Sequence, residues 1–222
     1  VCLPKTAWPP TFRFIGVPKT IDNDLILTDH TPGFGSAAKY VAASVCEIGL
    51  DASGYEAKSV TIIEIMGRHA GWLAGSAALA TWAGFGPDLI YLPETDFDME
   101  RFIADVEDIY RRTGKCMIAV SEGIHYADGT FVSEAKTSAT DGFGHAQLGG
   151  LATMLAEVVK QRTGAKVRGI ELSLLQRCGS HLASQADVEE AKLAGRVAVE
   201  SAVAGVTDKM VAFECLRAGE RY

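Results

Sequence analysis

The chain has 222 residues, a formal net charge of −7 and a hydrophobic fraction of 48%. This length can bury the core of one large domain or of two smaller ones. The acidic balance disfavours nucleic acid as the main partner, because nucleic-acid-binding surfaces need an excess of Lys and Arg. No apolar run approaches the length of a membrane span, and no basic-then-apolar signal pattern opens the sequence, so we expect no membrane partner.

Predicted strands and helices alternate along the chain. The strands are predicted at residues 12–17, 59–66, 89–92, 116–120, 167–172 and 209–213. The helices are predicted at residues 31–49, 72–83, 99–112, 144–163 and 187–204, the last with Asp187 as its cap. Strands that alternate with helices of ten or more residues predict the α/β class, with parallel sheets and helices on both faces.

The cysteines are odd in number and scattered, and none forms a Cys-x-x-Cys pair. This usage argues against a zinc ribbon and disfavours a disulfide framework, so we expect a reducing, cytoplasmic compartment. Cys116 lies in an apolar, strand-like run and is expected to pack rather than to react. The five are Cys2, Cys46, Cys116, Cys178 and Cys215.

A polar loop at residues 18–24, with the sequence Pro-Lys-Thr-Ile-Asp-Asn-Asp, directly follows the first predicted strand. Ligands of α/β sheets bind in the crevice beyond the carboxyl ends of the strands. Two carboxylates, an amide and a lysine at such a place suit the transfer of a phosphoryl group with Mg²⁺. For any single aspartate, a polar turn with an Asx cap is the alternative.

Charged side chains also follow the later strands. Arg68 comes after Gly67 at the start of an Ala-rich helix, where a close backbone, free N–H groups and a forked guanidinium suit phosphate. Glu122 could accept hydrogen bonds from substrate hydroxyls or could cap a helix. Arg168 and Arg177 bracket a strand and turn, and each could equally be a surface charge.

Parallel strands would bring several of these charges to one crevice, namely Asp22, Asp24, Arg68, Glu122 and Arg177. The glycine pattern of dinucleotide-binding folds and the Walker-type phosphate loop are both absent. Spacing alone therefore indicates phosphoryl transfer with Mg²⁺, which is possible without a nucleotide-binding loop. It does not identify the donor or the acceptor.

Three motifs in order and spacing resemble the 6-phosphofructokinase family: residues 18–24, residues 66–73 (Met-Gly-Arg-His-Ala-Gly-Trp-Leu) and residues 121–123 (Ser-Glu-Gly). The Pro-Lys before Thr-Ile-Asp resembles the pyrophosphate-dependent branch, because ATP-dependent members carry glycine in place of Lys19. The similarity runs from about Phe14 to the C-terminus. Further segments that resemble this branch are residues 176–177, 180–184 and 209–211.

The resemblance implies reversible, Mg²⁺-dependent phosphoryl transfer from pyrophosphate to O1 of fructose 6-phosphate, a step of glycolysis, by a homo-oligomer. It implies that Asp22 is the base for the 1-hydroxyl and that Lys19 stabilises charge on the transferring group. Asp24 would lie near Mg²⁺ and bind it through water.

The residues that the resemblance implies for substrate binding are Thr20, Ile21, Asp22, Met66, Gly67, Arg68, Glu122, Arg168 and Arg177. Among them, Arg177 would hold the 6-phosphate and Glu122 the ring hydroxyls. Arg168 would match an arginine that in many members reaches the site of a neighbouring subunit.

Departures from the family pattern predict a fragment that lacks most of the donor half. The Gly-Gly-Asp-Asp loop that holds Mg²⁺ and pyrophosphate in the family is missing. Leu174 stands where a histidine or tyrosine contacts substrate, and Ser59, with Lys58 beside it, stands where many members have an arginine. The predicted division is residues 1–50 for the end of the donor lobe, 51–172 for the sugar-phosphate lobe and 173–222 for the segment that returns to the first lobe.

Two alternatives stay open at this stage. The first is an ATP-dependent 6-phosphofructokinase, against which Lys19 argues. The second is a non-catalytic regulatory subunit or an inert fragment of the same fold. The intact set of Lys19, Asp22 and Asp24 favours descent from an active enzyme, whereas the missing donor loop predicts that this chain alone does not turn over.

Overall fold

The computed structural model describes residues 12–133 and 150–215, and two parallel sheets organise this part of the chain. The smaller sheet pairs β1 (Ile15–Gly16) with β6 (Lys209–Met210). The larger sheet contains β2 (Ser59–Ile65), β3 (Leu89–Tyr91), β4 (Lys115–Ser121) and β5 (Lys166–Glu171). Its order is β3-β4-β2-β5 with every pair parallel, so the carboxyl ends of these strands share one edge.

Helices cover both faces of the larger sheet. α1 (Phe34–Ser53) and α2 (Trp72–Ser76) lie on one face, and α3 (Met99–Thr113) and α4 (Leu151–Thr163) lie on the other. α5 (Leu175–Cys178) and α6 (Gln185–Val203) pack against α1. Two 3₁₀ segments, Ala77–Ala83 and Ser180–Leu182, follow α2 and α5. The predicted α/β class, with parallel sheets and helices on both faces, is confirmed.

Successive side chains of β2 belong to two different cores, because side chains of a strand point alternately to its two faces. Ile62 lies in a core with Phe102 of α3 and with residues of α4. Ile63 lies in a second core with Val41 of α1 and with residues of α2. Burial on both faces explains why this strand is an almost continuous apolar run in the sequence.

Most of the predicted elements are confirmed with small shifts at their ends. The predicted helix at residues 72–83 is an α-helix for one turn and continues as a 3₁₀ helix. The described part of the helix predicted at residues 144–163 begins at Leu151, and residues 144–149 lie outside the described residues. The strands predicted at residues 12–17 and 209–213 are only two residues long, and within the described part of the chain each has the other as its only neighbouring strand.

The prediction that Asp187 caps its own helix is wrong. α6 begins at Gln185, two residues earlier, with Ser184 at its N-cap position. The Asp187 carboxylate instead accepts hydrogen bonds from the backbone N–H groups of Gly33 at 2.7 Å and Ser36 at 3.1 Å, at the start of α1. Gly33, the N-cap residue of α1, has no side chain to supply an acceptor, so the aspartate of another helix supplies it.

Helix α1 runs through the boundary predicted between residues 50 and 51 and packs against α2 and β2 of the larger sheet. The division into lobes stays a prediction. Within the described ranges, none of the helices has the length and hydropathy needed to cross a membrane.

Cys116 is a packing residue. It lies in the core formed by β2, β4, α3 and α4, and burial raises the pKa of its thiol to about 12, so the thiol stays protonated near neutral pH. Cys46, Cys178 and Cys215 are free thiols. Cys2 lies outside the described residues.

Candidate active site

The ends of β2 and β4 place two of the predicted site segments side by side. Ile65 of β2 pairs with Ser121 of β4 at the last step of the parallel ladder. The chain then continues into residues 66–68 from β2 and into Glu122 from β4. The Glu122 backbone N–H donates to the carbonyl of Ile65 at 2.8 Å, which extends the pairing by one further residue.

The polar loop at residues 18–24 is held in shape by local hydrogen bonds. The hydroxyl of Thr31, which is buried, donates to the carbonyl of Thr20 at 2.7 Å. The Asp22 backbone N–H donates to the hydroxyl of Thr20 at 3.1 Å. Asn23 adopts a left-handed backbone with φ 56°, a conformation that asparagine tolerates better than most residues. These constraints fix the backbone of the loop on both sides of Asp22.

The Asp22 carboxyl group is half-buried among charged groups. Burial raises its pKa above the usual Asp range, and the negative charge of Asp24 raises that pKa further. The positive charges of Arg68, Lys19 and His69 act in the opposite direction. A carboxylate with a raised pKa is a stronger base than an exposed one, and this one has cations nearby.

Glu122 belongs to the same cluster of charges. Its Oε1 accepts a hydrogen bond from the backbone N–H of Gly67 at 3.3 Å, so it binds the loop before α2 rather than capping a helix. Burial is the main cause that raises the pKa of the Glu122 carboxyl group, the Gly67 hydrogen bond lowers that pKa, and Asp22 and Arg68 shift it in opposite directions. Sequence motifs that lie far apart in the chain therefore interact electrostatically.

Glycines allow the loop after β2 and the loop after β4 to lie in contact. Gly67 has φ 131°, a backbone conformation that side chains disfavour. A Cβ atom on Gly123 would lie 1.8 Å from the carbonyl oxygen of Arg68, so only glycine fits there. The Ser121 hydroxyl also donates to the Gly67 carbonyl. The position of Arg68 depends on these contacts.

The guanidinium of Arg68 has an unused donor. Its Nε is buried and has no hydrogen-bond partner among the residues that the structure describes. A buried donor without an acceptor costs about 1–3 kcal/mol. An anionic oxygen from a ligand, such as one of a phosphate group, would satisfy it.

Gln176 was not predicted as a site residue, although it belongs to the family-like segment at residues 176–177. It is 3% exposed, and its Oε1 accepts a hydrogen bond from the backbone N–H of Met66 at 3.0 Å. This contact joins α5, which carries Arg177, to the end of β2. Arg177 and Ile21 line one cavity of about 250 Å³ together with Gln176. The signal available in the sequence was a polar residue directly before Arg177.

Arg168 does not lie with the other predicted site residues. It pairs in register with Thr61, well before the end of β2, and its guanidinium lies 3.3 Å from a carboxylate oxygen of Asp51. Ser59 lies at the beginning of β2 and lines a small cavity with Arg168. This cavity lies toward the amino ends of the strands, away from the candidate site at their carboxyl ends. Leu174 is exposed and adjoins α5.

Asp24 has the chemistry of a Mg²⁺ ligand. Across the described ranges there is no group of three or more His, Cys, Asp or Glu side chains that could hold a metal ion. Asp22 and Asp24 are nevertheless close enough for one to raise the pKa of the other. Mg²⁺ is usually bound by one or two carboxylates, with water and substrate phosphates as the remaining ligands, so Asp24 could supply the protein ligand through water while Asp22 stays free to act as a base.

Comparison with known families agrees with this geometry. Residues 5–213 match the sequence profile of the family described as Phosphofructokinase. The chain belongs to the phosphofructokinase family. The resemblance inferred from residues 18–24, 66–73 and 121–123 is thereby confirmed for the family.

Relatives within the phosphofructokinase family include proteins named for pyrophosphate. The chain is 52% identical to a pyrophosphate–fructose 6-phosphate 1-phosphotransferase of Xanthomonas campestris, over 86% of this chain and 46% of that protein. It is 48% identical to one of Halomonas elongata, over 90% of this chain and 48% of that protein. The crystal structure of a pyrophosphate-dependent phosphofructokinase from Marinobacter aquaeolei superimposes with a TM-score of 0.78 and 39% identity, over 93% of this chain and 48% of that one. The chain thus spans about half the length of these relatives.

Proposed function

We propose that the whole protein transfers a phosphoryl group reversibly from pyrophosphate to O1 of fructose 6-phosphate, with Mg²⁺, giving fructose 1,6-bisphosphate and phosphate. The observation that carries this proposal is the half-buried Asp22 carboxylate beside Arg68, whose buried Nε lacks an acceptor among the described residues. A base and an unsatisfied cation next to each other suit a hydroxyl nucleophile and a phosphorylated substrate. The names of the relatives support the choice of pyrophosphate and fructose 6-phosphate.

Asp22 would remove the proton from the 1-hydroxyl as that oxygen attacks the phosphorus atom. The new O1–P bond forms while the bridging P–O bond of pyrophosphate breaks, and inorganic phosphate leaves. Lys19 would stabilise the charge that develops on the transferring group, because it lies in the same field of charges as Asp22. Asp24 would hold Mg²⁺ through water, and the bound ion would neutralise part of that charge.

The acceptor sugar would lie against the ends of β2 and β4. We assign its ring hydroxyls to Glu122 and its phosphate to Arg177, with Met66, Gly67 and Arg68 as neighbours. Thr20 and Ile21 would border the sugar from the catalytic loop. A carboxylate accepts hydrogen bonds from hydroxyls at both of its oxygens, which suits Glu122 to this role.

The remaining proposals concern the assembled protein. We place the reaction in glycolysis and in the cytoplasm, and we expect a homo-oligomer. Arg168 is exposed at the edge of the sheet opposite to the proposed site, which is compatible with a contribution to the site of a neighbouring subunit.

A donor comparison on the full-length protein tests the proposal. Initial rates of fructose 1,6-bisphosphate formation are measured with Mg²⁺ and either pyrophosphate or ATP at equal concentration. We expect the rate with pyrophosphate to exceed the rate with ATP by at least about a hundredfold, since the donors differ in both size and charge. A higher rate with ATP would favour the ATP-dependent alternative, and no turnover with either donor would favour the inert one.

A further inference from the structure

Both polar atoms of the Gln176 side-chain amide form hydrogen bonds. Its Oε1 accepts from the Met66 backbone N–H at 3.0 Å, and its Nε2 donates to the carbonyl of Ser173 at 3.1 Å. The side chain is 3% exposed, so water does not compete for either bond. Two fixed partners in a buried place define a single orientation for the amide.

Both partners of Gln176 lie at points where regular structure stops. Met66 follows the last residue of β2, so its N–H lies beyond the strand. Ser173 follows β5 with φ 48°, a left-handed conformation that turns the chain into α5. The Ser173 carbonyl also accepts from the Gln176 backbone N–H at 3.3 Å. The amide therefore stabilises a turn and ties it to the neighbouring strand.

The hydrogen bonds of the Gln176 amide link two segments that each carry a candidate phosphate-binding group. Arg177 is the next residue after Gln176, and Arg68 is two residues after Met66. A shift of the turn at Ser173 relative to β2 would change the separation of the two guanidinium groups. Binding of a phosphorylated sugar depends on that separation, because charged hydrogen bonds require correct geometry at both ends of the ligand.

We propose that Gln176 is a positioning residue that sets the place of Arg177 relative to residues 66–68, and thereby the affinity for the phosphorylated sugar. The inference deepens the proposed function and rests on it. Gln176 need not touch substrate for this role, since it acts through the backbone of Met66 and Ser173. A buried glutamine with a merely structural role would affect folding stability without a selective effect on sugar-phosphate affinity.

The test uses the full-length protein and two substitutions of similar size. Gln176→Met removes both hydrogen bonds, and Gln161→Met, on the exposed side of α4, is the matched control. The dissociation constant of fructose 6-phosphate is measured by calorimetry, together with KM for each substrate, kcat and the melting temperature. We expect Gln176→Met to raise the dissociation constant and KM of fructose 6-phosphate about tenfold, and KM of pyrophosphate by less than about twofold.

A second variant keeps the inference testable if Gln176→Met does not fold. Gln176→Glu retains an acceptor for the Met66 N–H, but when ionised it cannot donate to the Ser173 carbonyl. Protonation restores that donor, so the ratio of its dissociation constant to that of the wild type should fall as pH is lowered from about 8 to about 6. A purely structural role predicts no such dependence of the ratio on pH.

The outcomes separate the two proposals. If the wild type binds fructose 6-phosphate and a folded Gln176 variant binds it within twofold, with a ratio that does not change with pH, the positioning role is wrong. If the wild type does not bind fructose 6-phosphate, the proposed function is wrong and this inference falls with it.

Discussion

The carboxylate of Asp187 on α6 accepts a hydrogen bond from the backbone N–H of Gly33 at 2.7 Å, across 154 positions of sequence. The same side chain binds both the backbone N–H and the hydroxyl of Ser36, and the Ser36 hydroxyl accepts from the backbone N–H of Ser184 at 3.0 Å. The start of α1, the first helix after the proposed catalytic loop, is thus held by the later segment of the chain.

Replacing Asp187 by alanine should weaken both stability and activity. The variant leaves N–H groups at the start of α1 without their acceptor, which should lower the free energy of unfolding by about 1–2 kcal/mol. Because α1 follows the loop that carries Asp22, we also expect kcat/KM to fall. Urea unfolding and steady-state kinetics of the full-length protein measure the two effects.

Asp98→Ala is the control for this substitution. Asp98 caps its own helix, α3, by accepting from the Arg101 backbone N–H at 2.7 Å, away from the candidate site. It should lower stability by about 1 kcal/mol and leave kcat/KM unchanged. Equal losses of activity in both variants would contradict a specific role for the Asp187 contact.

Replacing Asp22 by asparagine should remove the proposed base while keeping the shape of the side chain. Loss of a general base typically lowers kcat by about 10²- to 10⁴-fold. Fructose 6-phosphate should still bind within about threefold of the wild-type affinity, which calorimetry measures. Turnover close to the wild-type rate would mean that another group accepts the proton.

The pH profile of the wild type provides a second test of Asp22. Burial and Asp24 raise the pKa of the Asp22 carboxyl group, so the active, ionised form is lost as pH falls through a value above the usual Asp range. We expect the acidic limb of the kcat/KM profile, which reports the free enzyme, to lie above that range. In Asp24→Asn the limb should move to lower pH, since one cause of the raised pKa is removed; a limb that stays in place would argue against this pairing.

Replacing Lys19 by alanine should lower turnover with pyrophosphate selectively. A hydrogen bond to a charged group contributes about 1.5–3 kcal/mol, so kcat/KM for pyrophosphate should fall by about 10- to 100-fold. Lys192→Ala, an exposed change on α6, should have no effect. An equal loss of fructose 6-phosphate affinity in Lys19→Ala would indicate that Lys19 contacts the sugar instead of the donor.

Replacing Glu64 by glutamine should change how stability depends on pH. Glu64 is 2% exposed in β2, its Oε2 accepts from the Ala152 backbone N–H at 2.8 Å, and burial raises the pKa of its carboxyl group to about 7. In the unfolded chain an ordinary Glu pKa applies. The contribution of Glu64 is therefore most favourable below that unfolded pKa and is lost progressively as pH rises to about 7.

The glutamine at position 64 keeps an acceptor for the Ala152 N–H and has no charge to bury. Above pH 8 we expect the variant to be more stable than the wild type, by an amount on the order of 3 kcal/mol, and near pH 4 the gain should vanish. Urea unfolding at several pH values measures this. Glu47→Gln, exposed on α1, is the control, and a gain that does not depend on pH would contradict the explanation.

The strands and helices were predicted well from the sequence where the pattern of neighbouring residues is enough to define them. The run at residues 59–66 is apolar because β2 is buried on both faces, and the structure places the strand at Ser59–Ile65. The approach of Arg68 to Glu122 was also predictable, because parallel strands bring their carboxyl ends together. These inferences need only periodicity, strand direction and motif order.

The contacts that bind distant segments could not be predicted in the same way. Asp187 was expected to cap its own helix because its neighbours in sequence suggested one, whereas its partners lie more than 150 positions earlier. Gln176 and Met66 are 110 positions apart, and nothing in either neighbourhood indicates the other. The identity of a hydrogen-bond partner across the fold is set by tertiary packing, which local pattern does not encode.

The pairing of β1 with β6 has a consequence for how the protein forms during synthesis. The Phe14 backbone N–H donates to the Thr207 hydroxyl at 3.0 Å, across 193 positions of sequence. At a translation rate of 5–20 residues per second, the ribosome needs about 10–40 s to make that intervening chain. Strand β1, which leads into the proposed catalytic loop, must wait that long for β6. Chains stalled on the ribosome before residue 207 has emerged should therefore be cleaved by protease within residues 18–24, and chains stalled well beyond it should be protected.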